Sequence, residues 1–270
     1  MPTLKIAICI PCYGDPKALF MQSLNSAIKH FYHSKLANET GEEYEKEIET
    51  FIVRSSMLTE SRHRLVAEAL NWGADYMLWC DADHTFPPDA ICKLWSRSVP
   101  VVGCNYPRRC FPTAPTAAHI ISDDPKKDHR NLVYTTQEKA EADLVEEVSH
   151  LGFGLCLINM KVFDALQVHA ERNGLKTFLP LFAFTPTDNH KGMIGEDVFF
   201  FKKLREAGIA VYLDHKVSWE VGHIHEIVLT NQHAVRQEAQ WLDRTKQLTE
   251  KFSKRIAELE AADLPEVVDG

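Results

Sequence analysis

The sequence has no run approaching the roughly 20 apolar residues that a membrane-spanning helix requires. The apolar stretch after Lys5 is too short for the core of a secretory leader and meets Pro11 almost at once, which predicts a soluble, cytoplasmic protein with no membrane span. An excess of basic charge is also missing. Thirty Lys and Arg stand against 38 Asp and Glu, a net charge of −8, which speaks against general affinity for polyanions. Cysteine is sparse in pattern: the seven are odd in number, scattered and mostly inside apolar runs, as befits small buried hydrophobes in a reducing compartment. Cys9 and Cys12 form a C-x-x-C, but no second pair follows at zinc spacing, and Cys9 falls inside a predicted strand, where a redox pair would open a helix. There is no internal repeat and no low-complexity tract.

What is present is an ordinary globular composition, 45% apolar and 25% charged over 270 residues, enough for one large α/β domain with an appendage. Lys5 to Ile10 reads as a buried strand ending in the turn-rich Pro11–Pro16. Phe20, Leu24, Ile28 and Phe31 recur at helical spacing, Asn38 to Glu47 reads as a polar loop, and Thr50 to Val53 as a second strand. A helix over Leu58 to Trp72 and a strand over Asp75 to Cys80 follow. Pro87 and Pro88 open another helix, and Val99 to Cys104 is a fourth strand. Strands and helices alternating in this way predict a parallel sheet whose ligands bind beyond the C-terminal ends of its strands. The second half differs. Asn105 to Glu147 suggests hairpins, Val148 to Asn159 a strand with Gly152 and Gly154, and 173–195 a segment too long for a mere connector. Glu196 to Ala207 reads as a helix, Ile209 to Leu213 and Val217 to Val221 as strands. From about Thr230 a charged helix carries Leu248, Phe252, Ile256 and Leu259 on one face, a surface through which the chain could oligomerise.

The sharpest feature is Asp81-Ala82-Asp83, directly after the apolar DYMLWC. Two carboxylates stationed there present hard oxygen ligands suited to Mg²⁺ or Mn²⁺, ions that also coordinate substrate phosphates. In Gly195-Glu196-Asp197, Asp197 lies four residues before Phe201 and seven before Leu204, so helical spacing puts it at the head of the buried stripe and turns Glu196 away. The helix N-terminus favours its ionised form, the state a general base needs; simple helix-end capping is the alternative role. His223 and His225 are nitrogen ligands for a metal, and at i, i+2 on an extended chain at most one faces it. Arg62 shares a helix face with Leu65, Ala69 and Trp72 and could meet a diphosphate with its planar fork. Gly152 and Gly154 allow backbone to approach a ligand or serve tight packing. Arg108 and Arg109 are exposed charges near the end of the fourth strand.

In order, IAICIPCYGDP, ESRHRLVAEAL, DYMLWCDADHTFPPDAICKL, VVGCNYPRR, LGFGLCLINMKVF, GEDVFFFKKLREAGIAVYLD and VGHIH resemble glycosyltransferases of the GT-A fold. The likeness is to small phage and bacterial members akin to the large inverting family that contains cellulose synthase. The resemblance implies an α/β domain over 1–228, with a mostly parallel Rossmann-like sheet, a nucleotide-binding half (1–104) and an acceptor half with a smaller sheet (105–228). A C-terminal amphipathic helix and tail occupy 229–270. It implies a metal-dependent transfer, with Mn²⁺ or Mg²⁺, from a nucleotide-diphosphate sugar to a hydroxyl, with inversion. Pro11 and Tyr13 would line the nucleotide pocket, Arg62 would hold the nucleotide or its phosphates, and Gly154 would lie near the sugar. Asp81 and Asp83 would serve the metal with His223, and Asp197 would be the base. Two departures bear on the nucleobase, for which uridine is favoured: Arg54-Ser55-Ser56 replaces an acidic strand end, and Arg62-His63 replaces Arg-Asn. The acceptor is left open between a glycan and a hydroxylated DNA base. A sugar-phosphate nucleotidyltransferase is the rival enzyme, but Pro11–Pro16 lacks its Gly-rich loop and lysine. An inactive carbohydrate-binding module is the non-enzymatic rival, and the retained acidic motifs speak against it.

Overall fold

The computed structural model describes residues 2–110, 112–120, 130–177, 179–186, 192–226 and 231–261. The chain divides into two units, Met1–Ile224 and His225–Gly270. The first half contains β1 (Thr3–Cys12), α1 (Ala18–His33), β2 (Glu45–Arg54), α2 (Leu58–Trp72), β3 (Tyr76–Cys80), β4 (His84–Thr85), α3 (Ala90–Ser96) and β5 (Val101–Gly103). Then come β6 (Ala118–Ile120), β7 (Arg130–Leu132), α4 (Gln137–Glu141), β8 (Val145–Val148), β9 (Leu155–Asn159) and α5 (Lys161–Arg172). The first unit ends with β10 (Thr185–Pro186), β11 (Met193–Ile194), α6 (Glu196–Glu206), β12 (Val211–Asp214), α7 (His215–Ser218) and β13 (Gly222–His223).

Seven strands form one sheet in the order β2-β1-β3-β9-β5-β12-β8. β1, β2 and β3 pair in parallel, as do β5 and β12, while β9 lies antiparallel between β3 and β5 and β8 lies antiparallel beside β12. The sheet is therefore mostly parallel, as expected, but the fourth predicted strand does not pair with the third. Two-stranded pairings β6-β7 and β10-β11 are the smaller sheets of the second half, and β4-β13 pairs a strand of each half.

Period-two alternation builds the layers. Ala7 and Cys9 of β1, Met77 and Trp79 of β3, and Cys156 and Ile158 of β9 join α2, α5 and α6 in one core. The intervening Ile6, Ile8, Ile10, Leu78, Cys80, Leu155 and Leu157 join α1 and α3 in the other. Helices thus cover both faces, and the ends of the parallel strands are left as a rim.

Four local expectations change. The strand expected over Val148 to Asn159 is interrupted: Val148 ends β8, β9 begins at Leu155, and Gly152 and Gly154 lie in the connection between them. β2 begins at Glu45, inside the expected loop: in this outermost strand of the sheet Glu45, Glu47 and Glu49 are exposed while Lys46, Ile48 and Thr50 between them are half-buried, so an edge strand can carry charge that reads as loop. Val217 to Val221 does not form a strand. Asp214 caps a short helix there, its Oδ1 accepting the Val217 amide at 2.8 Å. The long segment 173–195 is partly core: Leu179, Leu181 and Phe182 are buried, and Phe182 stacks on Phe200. Residues 178 and 187–191 of it lie outside the described residues.

The second unit is the helix α8 (Asn231–Ala261), on which Leu242, Leu248, Phe252 and Ile256 are exposed. Thr230 and the Leu259 side chain lie outside the described residues. Among the described residues, no helix is long and apolar enough to cross a membrane.

Gly152 marks a close approach, because a Cβ there would overlap the Tyr106 hydroxyl. Gly152→Ala is expected to lower unfolding free energy by about 1–3 kcal/mol through overpacking. Gly14→Ala, with nothing within 4 Å of its added carbon, should change it by less than about 0.5 kcal/mol. Chemical denaturation of both variants checks this.

Candidate functional site

Asp81 and Asp83 leave the end of β3 in opposite directions. Asp81 Oδ1 accepts from Arg62 Nη2 at 3.3 Å, and Arg62 Nε donates to Glu196 Oε1 at 3.1 Å. Arg62 is 3% exposed, with its guanidinium over the rings of Phe153 (4.6 Å) and Trp79 (5.1 Å). Its Nη1 is buried with no hydrogen-bond partner. The arginine expected to meet a diphosphate is thus enclosed between two carboxylates, tying α2, the end of β3 and the start of α6 together.

The phase of α6 also differs from the expectation. Glu196 is buried in line with Phe200 and Leu204, so it heads the inward stripe, while Asp197 is half-buried beside it. Asp197 Oδ1 accepts the Val198 amide at 2.7 Å, and a Cβ on Gly195 would lie 2.7 Å from that same oxygen. Burial, and then the like charge of Glu196, push the Asp197 pKa up to about 6, outweighing the Val198 amide and Arg62. The helix N-terminus was expected to favour the ionised form; desolvation prevails instead.

Asp83 faces the other way. Its Oδ1 is 3.0 Å from His84 Nδ1, and its Oδ2 is 2.8 Å from Arg109 Nη1 and 3.5 Å from His223 Nε2. Burial would raise the Asp83 pKa, but the contacts with His223 and His84 and the Arg109 charge reverse this and hold the carboxylate well below its usual range. The short ladder between β4 and β13 sets His223 opposite His84, and the two rings stack with centroids 4.3 Å apart. Asp83, His84 and His223 offer ligand atoms that all lie within 4.8 Å of one another.

These residues fit a divalent cation. His223 Nδ1 is 3.0 Å from the Pro107 carbonyl, which can only accept, so that nitrogen carries the proton. Nε2 is left to take a second proton or to give its lone pair to a metal, the usual arrangement for a ligating histidine. His84 is 1% exposed, and its Nε2 has no hydrogen-bond partner. His225 is exposed and belongs to the second unit.

Other singled-out positions surround these groups. Pro11 is buried at the C-terminal end of β1, and Tyr13, just beyond, is 84% exposed. A Cβ on Gly154 would lie 2.5 Å from His84 Nε2 and 2.6 Å from Tyr106 Cε1, so this glycine admits the histidine. Its amide donates to the Tyr106 hydroxyl at 3.1 Å. Two histidines near these groups were given no role from the sequence. One is His84. The other is His63, whose Nε2 accepts the Leu181 and Phe182 amides at 3.1 and 3.3 Å while Nδ1 meets the Thr59 carbonyl at 2.7 Å. A cavity of about 550 Å³ between Tyr76, Pro100, Asn159 and Ala210 lies at the opposite ends of the strands and is lined by no acid or histidine.

No protein-family model and no curated protein sequence matches the chain. Solved structures do. GalNAc-T7, crystallised with UDP, GalNAc and Mn²⁺, is 14% identical with a TM-score of 0.50, over 83% of this chain and 44% of that one. The chain thus spans less than half of GalNAc-T7. A197 from STIV is 13% identical over 84% of this chain and 97% of its own, with a TM-score of 0.45. The catalytic domain of Drosophila beta1,4-galactosyltransferase 7, solved with xylobiose, is 14% identical over 87% and 80%, with a TM-score of 0.42. The fold of this chain is the GT-A fold of nucleotide-sugar glycosyltransferases.

Removing one partner from a buried ion-pair network leaves uncompensated charge, at a cost of about 3–5 kcal/mol. Arg62→Met is expected to destabilise the ligand-free protein by that order. Urea unfolding without any nucleotide measures it, and an unchanged midpoint would mean that Arg62 is not a structural tie.

Proposed function

We propose that this protein is a metal-dependent glycosyltransferase that moves a sugar from a nucleotide-diphosphate donor, a UDP-sugar favoured, to a hydroxyl acceptor with inversion. The observation that carries the reading is the Asp83–His84–His223 group at the rim of a GT-A sheet. GalNAc-T7, of the same fold, was crystallised with UDP and Mn²⁺.

Asp83 and His223 would hold Mn²⁺ or Mg²⁺, with His84 at their side; Asp81, the other carboxylate of the pair, is held by Arg62. The bound ion would offset the charge that develops on the leaving diphosphate. Tyr13 offers its exposed ring to the nucleobase beside Pro11, and Gly154 lets His84 and Tyr106 pack close to the backbone where the sugar would lie. Asp197 takes the proton of the acceptor hydroxyl as its oxygen attacks the anomeric carbon. A carboxyl with a pKa near 6 is ionised at neutral pH yet basic enough to accept that proton. Glu196, held by Arg62, fixes the start of α6 and so the direction of Asp197. The acceptor is a glycan or a hydroxylated DNA base, and the acidic balance of the chain favours the glycan.

Nucleotide sugars with Mn²⁺ should raise the melting temperature by mass action, and UDP should be released slowly without acceptor. Stabilisation by no nucleotide sugar would overturn the reading. Asp83→Asn should abolish metal-dependent donor binding with the fold retained. His223→Ala should weaken Mn²⁺ binding more than His225→Ala, as read by calorimetry.

Asp197→Asn should reduce kcat by about 10²–10⁴ with donor affinity nearly kept. In the wild type, kcat/KM should fall about tenfold per pH unit below about 6 and level off above it, because only the ionised carboxylate accepts the proton. The sign for stability is opposite. The folded-state pKa lies above the unfolded value of about 3.9, so Asp197 weakens the fold above pH 6 and this penalty fades as pH falls through 6. Asp197→Asn should therefore melt higher than wild type at pH 8, and by less at pH 5.

A further inference from the structure

We propose that Arg109 is a built-in counter-cation that occupies Asp83 until a metal ion arrives and then serves the donor's diphosphate. The inference rests on the glycosyltransferase reading above and adds a residue that it does not use. Arg109 Nη1 donates to Asp83 Oδ2 at 2.8 Å, the same oxygen that lies 3.5 Å from His223 Nε2. That oxygen is where a ligating His223 and Asp83 converge, so a guanidinium and a divalent ion compete for it. Two cations against one carboxylate oxygen repel each other, and the ion displaces the arginine.

The loop that carries Arg109 is built for such an exchange. Its base is fixed: Asn105 Oδ1 accepts the Thr116 and Ala117 amides at 3.0 and 3.1 Å, and its Nδ2 donates to the Val133 carbonyl at 2.7 Å. Pro107 bridges to Pro115, the Arg108 amide donates to the Ala114 carbonyl at 2.9 Å, and Thr113 Oγ1 donates to the Arg108 carbonyl at 2.8 Å. The same loop supplies the Pro107 carbonyl that orients His223. Arg109 itself is 50% exposed, so its long side chain can swing while the backbone stays put. Once displaced, its planar fork remains beside the rim, and phosphate is the group that this fork matches in two hydrogen bonds. Arg62 cannot do this, because it is 3% exposed and held by two carboxylates.

The test is calorimetric titration of the full chain with Mn²⁺ alone, and then with UDP at saturating Mn²⁺, for wild type, Arg109→Ala and Arg109→Lys. Arg109→Ala should bind Mn²⁺ alone several-fold more tightly, because its competitor is gone. It should bind UDP roughly ten- to a hundredfold more weakly, the span for a lost hydrogen bond to a charged group. Arg109→Lys should stay near wild type for Mn²⁺ and lose part of the UDP affinity, since it keeps the charge and loses the fork. Circular dichroism of the variants checks the fold. If wild type binds both ligands and Arg109→Ala binds Mn²⁺ no more tightly, or UDP equally well, the role of Arg109 is overturned while the function stands. If wild type binds neither Mn²⁺ nor UDP, both readings fall.

Discussion

One guanidinium ties together parts of this rim that lie far apart in the chain. Arg62 bridges Asp81, 19 residues away, and Glu196, 134 residues away, on a bed made by Trp79 and Phe153. Burying a cation is costly unless it is paired, and pairing it here draws the start of α6 onto the end of β3. The position of Asp197 follows, because it is the next residue on that helix. So does the division of labour in Asp81-Ala82-Asp83. With Asp81 turned to the interior arginine, Asp83 is the carboxylate that meets the histidines.

Much of this was legible in the sequence. The alternating apolar residues of β1 and β3, the inward stripes of α1 and α2, and the acidic pair placed after β3 all follow from period and position. Strand direction did not follow. β9 reads as apolar as any parallel strand, and nothing in Leu155 to Asn159 says that it enters the sheet antiparallel between β3 and β5. The phase of α6 was misread for a definite reason. Phe199, Phe200 and Phe201 are consecutive aromatics, so a helical period fits a stripe headed by either Glu196 or Asp197. Only the partner, Arg62, decides between them, and that contact spans half the chain.

The two histidines illustrate the same limit. His84 sits beside the acidic pair, yet its role arises from a ladder of only two residues with β13, too short to leave any periodic signal. His63 was noticed only as a departure from Arg-Asn. Its ring accepts two backbone amides from Leu181 and Phe182, and the nearby Phe182 ring packs against it. The segment read as too long for a mere connector is thereby pinned to α2, and Leu179, Leu181 and Phe182 in it are core.

The charges of the rim do not balance. Asp81, Asp83, Glu196 and Asp197 face Arg62 and Arg109, two fixed cations against four carboxyl groups. Asp197 registers the excess, since burial and the charges of Glu196 and Asp81 keep its proton on until about pH 6. A diphosphate entering such a rim alone would add to that excess, so a diphosphate donor of the kind proposed would need a divalent ion with it. On the proposed reading, in which Asp197 is the base, burial first and the negative balance second raise its pKa, and a cation held at the site would offset the second of these.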